Sequence, residues 1–160
     1  MSEVTFRYAE EKDTGLVLEF IRGIAAYEKL LDEVVATEES LREWMFEKKL
    51  VEVIFAEAEG DTVGFALFFQ NFSTFVGREG LYLEDIFVKP QYRKKGYGKA
   101  IFRKLAQIAV ERGCQRFEWV CLDWNQPSID FYRSMGAVPM EEWTIYRLSG
   151  DAIRKAAEIK

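Results

Sequence analysis

No histidine occurs among the 160 residues. That absence removes Ser-His-Asp and Cys-His nucleophile activation and the common metal-ligand sets. Any proton transfer must then use Glu, Asp, Tyr, Lys, Cys or water. Cysteine is scarce, with only Cys114 and Cys121. Two thiols fit a reducing compartment, and without histidine they are too few for a zinc site. With 3 prolines and no low-complexity segment there is no linker, so residues 1–160 are expected to form a single domain. No apolar run approaches the ~20 residues that span a bilayer. The opening Met1-Ser-Glu-Val-Thr-Phe-Arg7 has no basic region followed by an apolar one, so no secretory leader is expected. The net charge of −5 argues against a nucleic-acid partner and permits a cationic substrate.

What is present centres on Leu81-Tyr-Leu-Glu-Asp-Ile-Phe-Val-Lys-Pro-Gln-Tyr-Arg-Lys-Lys-Gly-Tyr-Gly-Lys-Ala100. It reads as a buried strand over 81–88, a turn at Pro90, and a glycine-containing loop that opens a long helix. Glu84 and Asp85 interrupt the apolar strand. Being adjacent, they are expected on opposite faces of the sheet. Either is a candidate general base or binder of a cation, and either is equally an ion-pair residue. In Arg93-Lys-Lys-Gly-Tyr-Gly98, Gly96 lets backbone approach a ligand, and N–H groups at the helix start can face an anion. Taken alone, the same residues describe a solvated basic turn. The loop is not a Walker A loop, because Gly98 is not followed by Lys-Ser or Lys-Thr. A dinucleotide fingerprint needs glycine where Lys94 stands.

Around this stretch, residues 3–8 alternate as a strand. Asp13 or Thr14 can cap a helix with Leu16, Phe20, Ile24, Tyr27 and Leu31 at helical spacing. Thr37-Glu-Glu-Ser40 starts a second helix. Residues 51–58 and 63–69 form a hairpin about the turn 59–62, and 71–80 is a loop. The helix after Gly96 ends at Gly113, a left-handed cap. Residues 115–122 are a strand, Asn125-Gln-Pro-Ser128 opens a short helix ending near Gly136, and 137–148 hold a final strand or hairpin. A short amphipathic helix follows Ser149. One long helix between two strands predicts one parallel pair in an otherwise antiparallel sheet. Asn125 and Tyr132 lie two helical turns apart, on one side of the short helix. Tyr132 can donate a proton to a departing anion, or simply pack beside Phe131.

Three motifs in order, Leu81–Val88, Tyr92-Arg-Lys-Lys-Gly-Tyr-Gly98 and Leu122-Asp-Trp-Asn-Gln-Pro-Ser-Ile-Asp-Phe-Tyr132, resemble the GCN5-related N-acetyltransferase (GNAT) superfamily over essentially the whole chain. With Ala26-Tyr-Glu28, the sequence looks closest to the diamine (spermidine/spermine-type) and thialysine N-acetyltransferases. The resemblance implies an α/β (α+β) GNAT fold: a mixed, mostly antiparallel sheet with one splayed parallel strand pair and helices on both faces. It implies acetyl-CoA as co-substrate, no metal, a small primary amine as acceptor, a cytoplasmic setting and a homodimer to which the C-terminal region contributes. Ile86, Phe87 and Val88 would meet the pantetheine arm. Arg93, Lys94, Lys95, Gly96, Tyr97, Gly98 and Lys99 would surround the pyrophosphate. Asn125, Gln126, Pro127 and Ser128 would contact the other side of the coenzyme. Tyr132 matches the general acid and Glu84 the carboxylate at the amine, which also takes its proton. Tyr27, Glu28, Glu118, Trp119 and Val120 would line the acceptor site. Two departures stand out. Lys94 replaces the first glycine of the family loop. Residues 71–77 lack the carboxylate of the polyamine-specific members, while Asp123-Trp-Asn-Gln126 looks more like the thialysine type. Peptide N-acetylation and non-catalytic acyl-CoA binding are the other readings.

Overall fold

The computed structural model describes residues 3–160, so Met1 and Ser2, where the expected leaderless start begins, lie outside the described residues. One compact unit runs to Val120, and Cys121–Lys160 forms a second. The first contains β1 (Thr5–Tyr8), α1 (Thr14–Tyr27), α2 (Glu38–Arg42), β2 (Glu52–Ala58), β3 (Asp61–Ser73), β4 (Arg78–Val88), α3 (Tyr97–Glu111) and β5 (Phe117–Glu118). The second contains α4 (Gln126–Ser134) and α5 (Asp151–Ala157).

The sheet order is β1-β2-β3-β4-β5. All pairs are antiparallel except β4–β5, which is parallel at Leu81↔Phe117 and Tyr82↔Glu118. The parallel pair follows from the β4–α3–β5 connection, as its chain order predicts. At the β2–β3 turn Glu59 and Gly60 take φ of 54° and 76°. Two left-handed residues give a turn whose twist matches the flanking strands. In α2, Ser40 N–H donates to Thr37 Oγ1 (3.0 Å) and Thr37 N–H to Ser40 Oγ (3.0 Å), a reciprocal cap.

Helices cover both faces of the sheet, as expected. On one side Ile101, Leu105 and Ile108 of α3 pack with Ile54, Ala66, Phe68, Leu81 and Leu83. On the other, Val17, Leu18 and Phe20 of α1, with Leu41 and Met45, pack on Val53, Phe55, Phe65 and Leu67. Phe20 stacks on Phe65 at 4.9 Å. Gly64 permits the close approach of α3: a Cβ there would lie 2.7 Å from the Phe87 carbonyl oxygen and 2.9 Å from Ile101 Cδ1.

Four expectations need correction. Asp13 does not cap α1. Its carboxylate accepts from Arg7 Nη1 (2.8 Å) and from Glu10 N (2.7 Å), which closes a 3-10 turn before the helix. Residues 71–80 are mostly strand: β3 runs to Ser73 and β4 starts at Arg78, leaving a short turn with Gly77 at φ 76°. The polar Asn71, Ser73 and Glu79 are half-buried ladder positions of an extended hairpin, with the apolar Phe72 exposed between two of them, so polarity here does not mark a loop. The strand expected over 115–122 is only Phe117–Glu118. Residues 137–148 form no strand, because no strand pairs with them among the described residues. Trp143 N–H donates locally to Met140 O (3.1 Å), and Val138, Trp143, Ile145 and Tyr146 are exposed. Gly113 takes φ of 73°, the left-handed cap expected of it, and Gly136, just past α4, also turns left-handed at 91°.

Candidate active site

The β3–β4 ladder slips by one residue inside the central motif. Leu67 faces Asp85 and Phe68 faces Leu83, so Glu84 is an extra residue on β4. Such a bulge changes which way the following side chains point. Leu83 and Ile86 both belong to the core under α3, and Phe87 belongs to the core under α1. The two residues between Leu83 and Ile86 therefore both turn toward the α1 face. This corrects the expectation that Glu84 and Asp85 oppose each other, which assumed unbroken alternation.

The carboxylates meet Glu28, which follows the last residue of α1. Burial raises the Asp85 carboxyl to about 7, and the negative charges of Glu84 and Glu28 add to that. Glu28 is raised by burial and then by Glu84. Among the described residues, no hydrogen bond or ion pair engages the carboxylates of Glu28, Glu84 or Asp85. Next along the same face, Tyr82 is raised by burial and by Glu84 and Glu118. Glu118 accepts from Asn71 Nδ2 at 3.3 Å. The result is an acidic face with no ion-paired cation among the described residues, suited to a cationic ligand.

Beside it, β4 is open. β5 pairs only with Leu81 and Tyr82, so from Leu83 to Val88 that edge has no strand beside it among the described residues. Edge N–H and C=O groups of this kind can bond an extended ligand. The loop then curls through two left-handed residues, Lys94 (φ 63°) and Gly96 (φ 87°), into α3. Gly96 offers no side-chain cap, so the first-turn N–H groups of a 15-residue helix are left for an anion.

The loop side chains divide into two sets. Lys95 Nζ contacts Glu59 at 3.2 Å, and the buried Tyr97 hydroxyl donates to Glu59 Oε2 at 2.7 Å. Tyr92 O–H donates to Asp61 (2.9 Å) and Lys89 Nζ lies 3.3 Å from it. The hydroxyl donors, aided by the lysines, hold both carboxyls below their ordinary range. The β2–β3 turn thus clamps the loop. Lys94 and Lys99 are exposed and hold no ion pair among the described residues. Arg93 lies 5.1 Å from the Tyr27 ring and 5.0 Å from the Phe87 ring, and its Nε donates to Val88 O at 3.0 Å. Gly23 lets α1 meet Phe87, since a Cβ there would lie 3.0 Å from its ring.

Trp119 packs edge-on against Phe102 (5.2 Å) and Phe117 (5.0 Å), a structural contact, while Val120 is exposed. In the second unit, Asn125 caps α4 through Ser128 N at 3.4 Å, with Pro127 in the first turn. Gln126 Nε2 donates to Asp130 at 2.7 Å. Tyr132 and Phe131 rings lie 5.5 Å apart.

The Glu84 bulge was missed because nothing in its residue type marks it; no glycine signals the irregularity. The Arg93 contacts with Tyr27 and Phe87 were missed because they join residues far apart in the chain.

The family model for the Acetyltransferase (GNAT) family matches residues 20–137. Thialysine N-epsilon-acetyltransferase of Sus scrofa is 40% identical across 98% of this chain and 99% of its own length. The L-ornithine N5-acetyltransferase of Arabidopsis thaliana is 42% identical across 71% of this chain and 46% of its own. Among solved structures, an integron cassette protein from V. cholerae superposes with TM-score 0.80 at 30% identity, covering 99% of both chains. The ribosomal-protein-alanine N-acetyltransferase of Brucella melitensis shares the fold, with TM-score 0.71 at 19% identity over 92% of this chain and 100% of its own. An open sheet edge, a glycine-containing loop at a helix start, the family-model match and the full-length likeness to the thialysine N-epsilon-acetyltransferase converge: the chain belongs to the GNAT acetyltransferase family.

Proposed function

We propose that the protein transfers the acetyl group of acetyl-CoA to the primary amine of a small cationic acceptor, a thialysine- or lysine-like amine or a diamine, by direct attack. The observation that carries this reading is the face bearing Glu28, Glu84 and Asp85 beside the open edge of β4. It has the charge to hold an ammonium group and lies next to groups suited to an extended thioester arm. The relatives named for thialysine and ornithine acetylation act on amines of this size and charge.

The residues fit acetyl-CoA as co-substrate. Ile86, Phe87 and Val88 supply the edge for the pantetheine arm. The N–H groups following Gly96, with Gly98, Lys94 and Lys99, would hold the pyrophosphate, and Arg93 would join them on leaving Val88. Lys95 and Tyr97 act through Glu59 by fixing the loop. Asn125, Gln126, Pro127 and Ser128 are assigned to the coenzyme by the resemblance. An edge N–H near Val88 would meet the developing oxyanion, a contact typically worth ~2.7–4 kcal/mol. Glu84 holds the ammonium, with Tyr27, Glu28 and Glu118 lining its approach. Tyr132 protonates the departing thiolate. The same reading carries a cytoplasmic homodimer.

Thiol release from acetyl-CoA over a panel of diamines, thialysine, lysine, ornithine and peptides tests the proposal. Release with small amines and not with peptides supports it. Preference for peptides would move the acceptor to a protein, and acetyl-CoA binding without release from any member would leave a binding module.

A further inference from the structure

Resting on that reading, we infer that the two roles at the amine are divided between adjacent residues: Glu84 at the mouth holds the ammonium, and Asp85 behind it takes its proton. The bulge makes this division possible. In a regular strand, Asp85 would lie on the far side of the sheet from Glu84, under α3. The extra residue at Glu84 brings both carboxylates to one face, one exposed and one half-buried. The shielded carboxylate and the solvated one then have different chemistry in the same place.

The surroundings of Asp85 explain the difference. Across the ladder β3 presents Leu67. From α1 comes Glu28, and from β4 itself Glu84. β5 contributes Glu118, which acts on Tyr82. Arg93 is held by Tyr27, Phe87 and the Val88 carbonyl. α3 packs on the opposite face. No cation therefore stabilises the ionised form of Asp85 among the described residues, and its carboxyl sits at about 7.

A base there is much better matched to an amine. A lysine-like ammonium has a pKa of ~10.4, so transfer to an ordinary aspartate at ~3.9 is uphill by about 6.5 units. The shielding that raises Asp85 narrows that gap, so a larger share of the bound amine is neutral than beside an ordinary aspartate. The balance is complete. The ammonium gives one proton to the Asp85 carboxylate, and the neutral nitrogen attacks the thioester carbon. The C–N bond forms and the C–S bond breaks, with its electron pair going to sulfur. The new amide nitrogen loses a second proton, the thiolate gains one, and Asp85 returns its own to solvent past Glu84. One proton is released per turnover.

The test compares pH profiles of kcat/KM for the wild type, Asp85→Asn and Glu84→Gln with one active amine. The wild-type rate should rise with pH through an apparent pKa near 7. Asp85→Asn should lose that limb and at least ten-fold in kcat while still binding acetyl-CoA. Glu84→Gln should keep the limb and raise KM for the amine. A limb retained in Asp85→Asn, or lost only in Glu84→Gln, overturns the division. Asp85→Glu, which keeps the carboxyl, should restore a limb at a shifted position, and its failure to do so also counts against a proton-transfer role. Carboxyl 13C NMR on the wild type gives a readout free of turnover. Asp85 should titrate within about one unit of 7, and a midpoint near 4 overturns the inference even if no acceptor is acetylated. If the amine panel alone fails, the proposed function is at fault and not the titration of Asp85.

Discussion

Leu83 and Ile86 lie in the same core under α3 although they stand three places apart on β4. That parity is impossible in an unbroken strand and is the direct signature of the Glu84 bulge. It places an acidic pair where regular alternation would bury one acid beneath α3. The consequences for binding, stability and pH follow from this one slip of register.

Stability should respond to the bulge through Asp85. Its carboxyl is raised from 3.8 to about 7 in the folded chain. A raised acid favours the folded state when protonated, so its contribution is present below pH ~4 and is lost as pH rises through 7. A shift of about three units corresponds to an upper bound of about 4 kcal/mol. Asp85→Asn should therefore gain on the wild type in denaturant midpoint between pH 4 and 8. Asp13, Glu59 and Asp61 are lowered and work in the opposite direction, so the difference between the two proteins is the quantity to measure.

Lys94 is held at φ 63°, a conformation that glycine adopts without strain. Lys94→Gly should raise stability by up to about 1 kcal/mol, seen in thermal or urea unfolding. Acetyl-CoA affinity should change little if backbone N–H groups do most of the holding. A ten-fold loss would mean that the Lys94 charge carries the grip.

Glu59 contacts the loop through Lys95 and Tyr97 and takes no part in the acidic face. Removing its charge in Glu59→Gln releases Lys95 and weakens the bond to Tyr97. The expected result is a several-fold higher Kd for acetyl-CoA with an unchanged KM for the amine. Equal effects on both substrates would contradict a clamp confined to the coenzyme loop.

Much of this was legible in the residues. Helical spacing, the Thr37 cap and the glycines at 113 and 136 located the helices. The single β–α–β connection located the parallel pair. What failed were features set by pairing between distant segments. The bulge leaves no residue-type mark. The β3–β4 hairpin extends through polar residues because each finds a partner across the ladder. The segment 137–148 finds no partner strand among the described residues and makes no strand. Within the candidate site, residue types singled out the carboxylates and the glycine-containing basic loop as candidates. The clamp by Glu59 and Asp61 and the stacking of Arg93 needed the fold.

Tyr132→Phe removes only a hydroxyl. Turnover should fall roughly a hundred-fold, in the range of general acid catalysis, with acetyl-CoA binding intact. An undiminished rate, once product release is shown not to be limiting, removes Tyr132 as the proton donor.

The most direct measurement is acetyl transfer itself. Purified protein is mixed with acetyl-CoA and thialysine, lysine, ornithine or a short diamine, and both free thiol and acetylated amine are quantified. Equal amounts of the two products with at least one of these amines, saturating in both substrates, is the expected result. Saturable acetyl-CoA binding with no acetylated amine from any of them would contradict it.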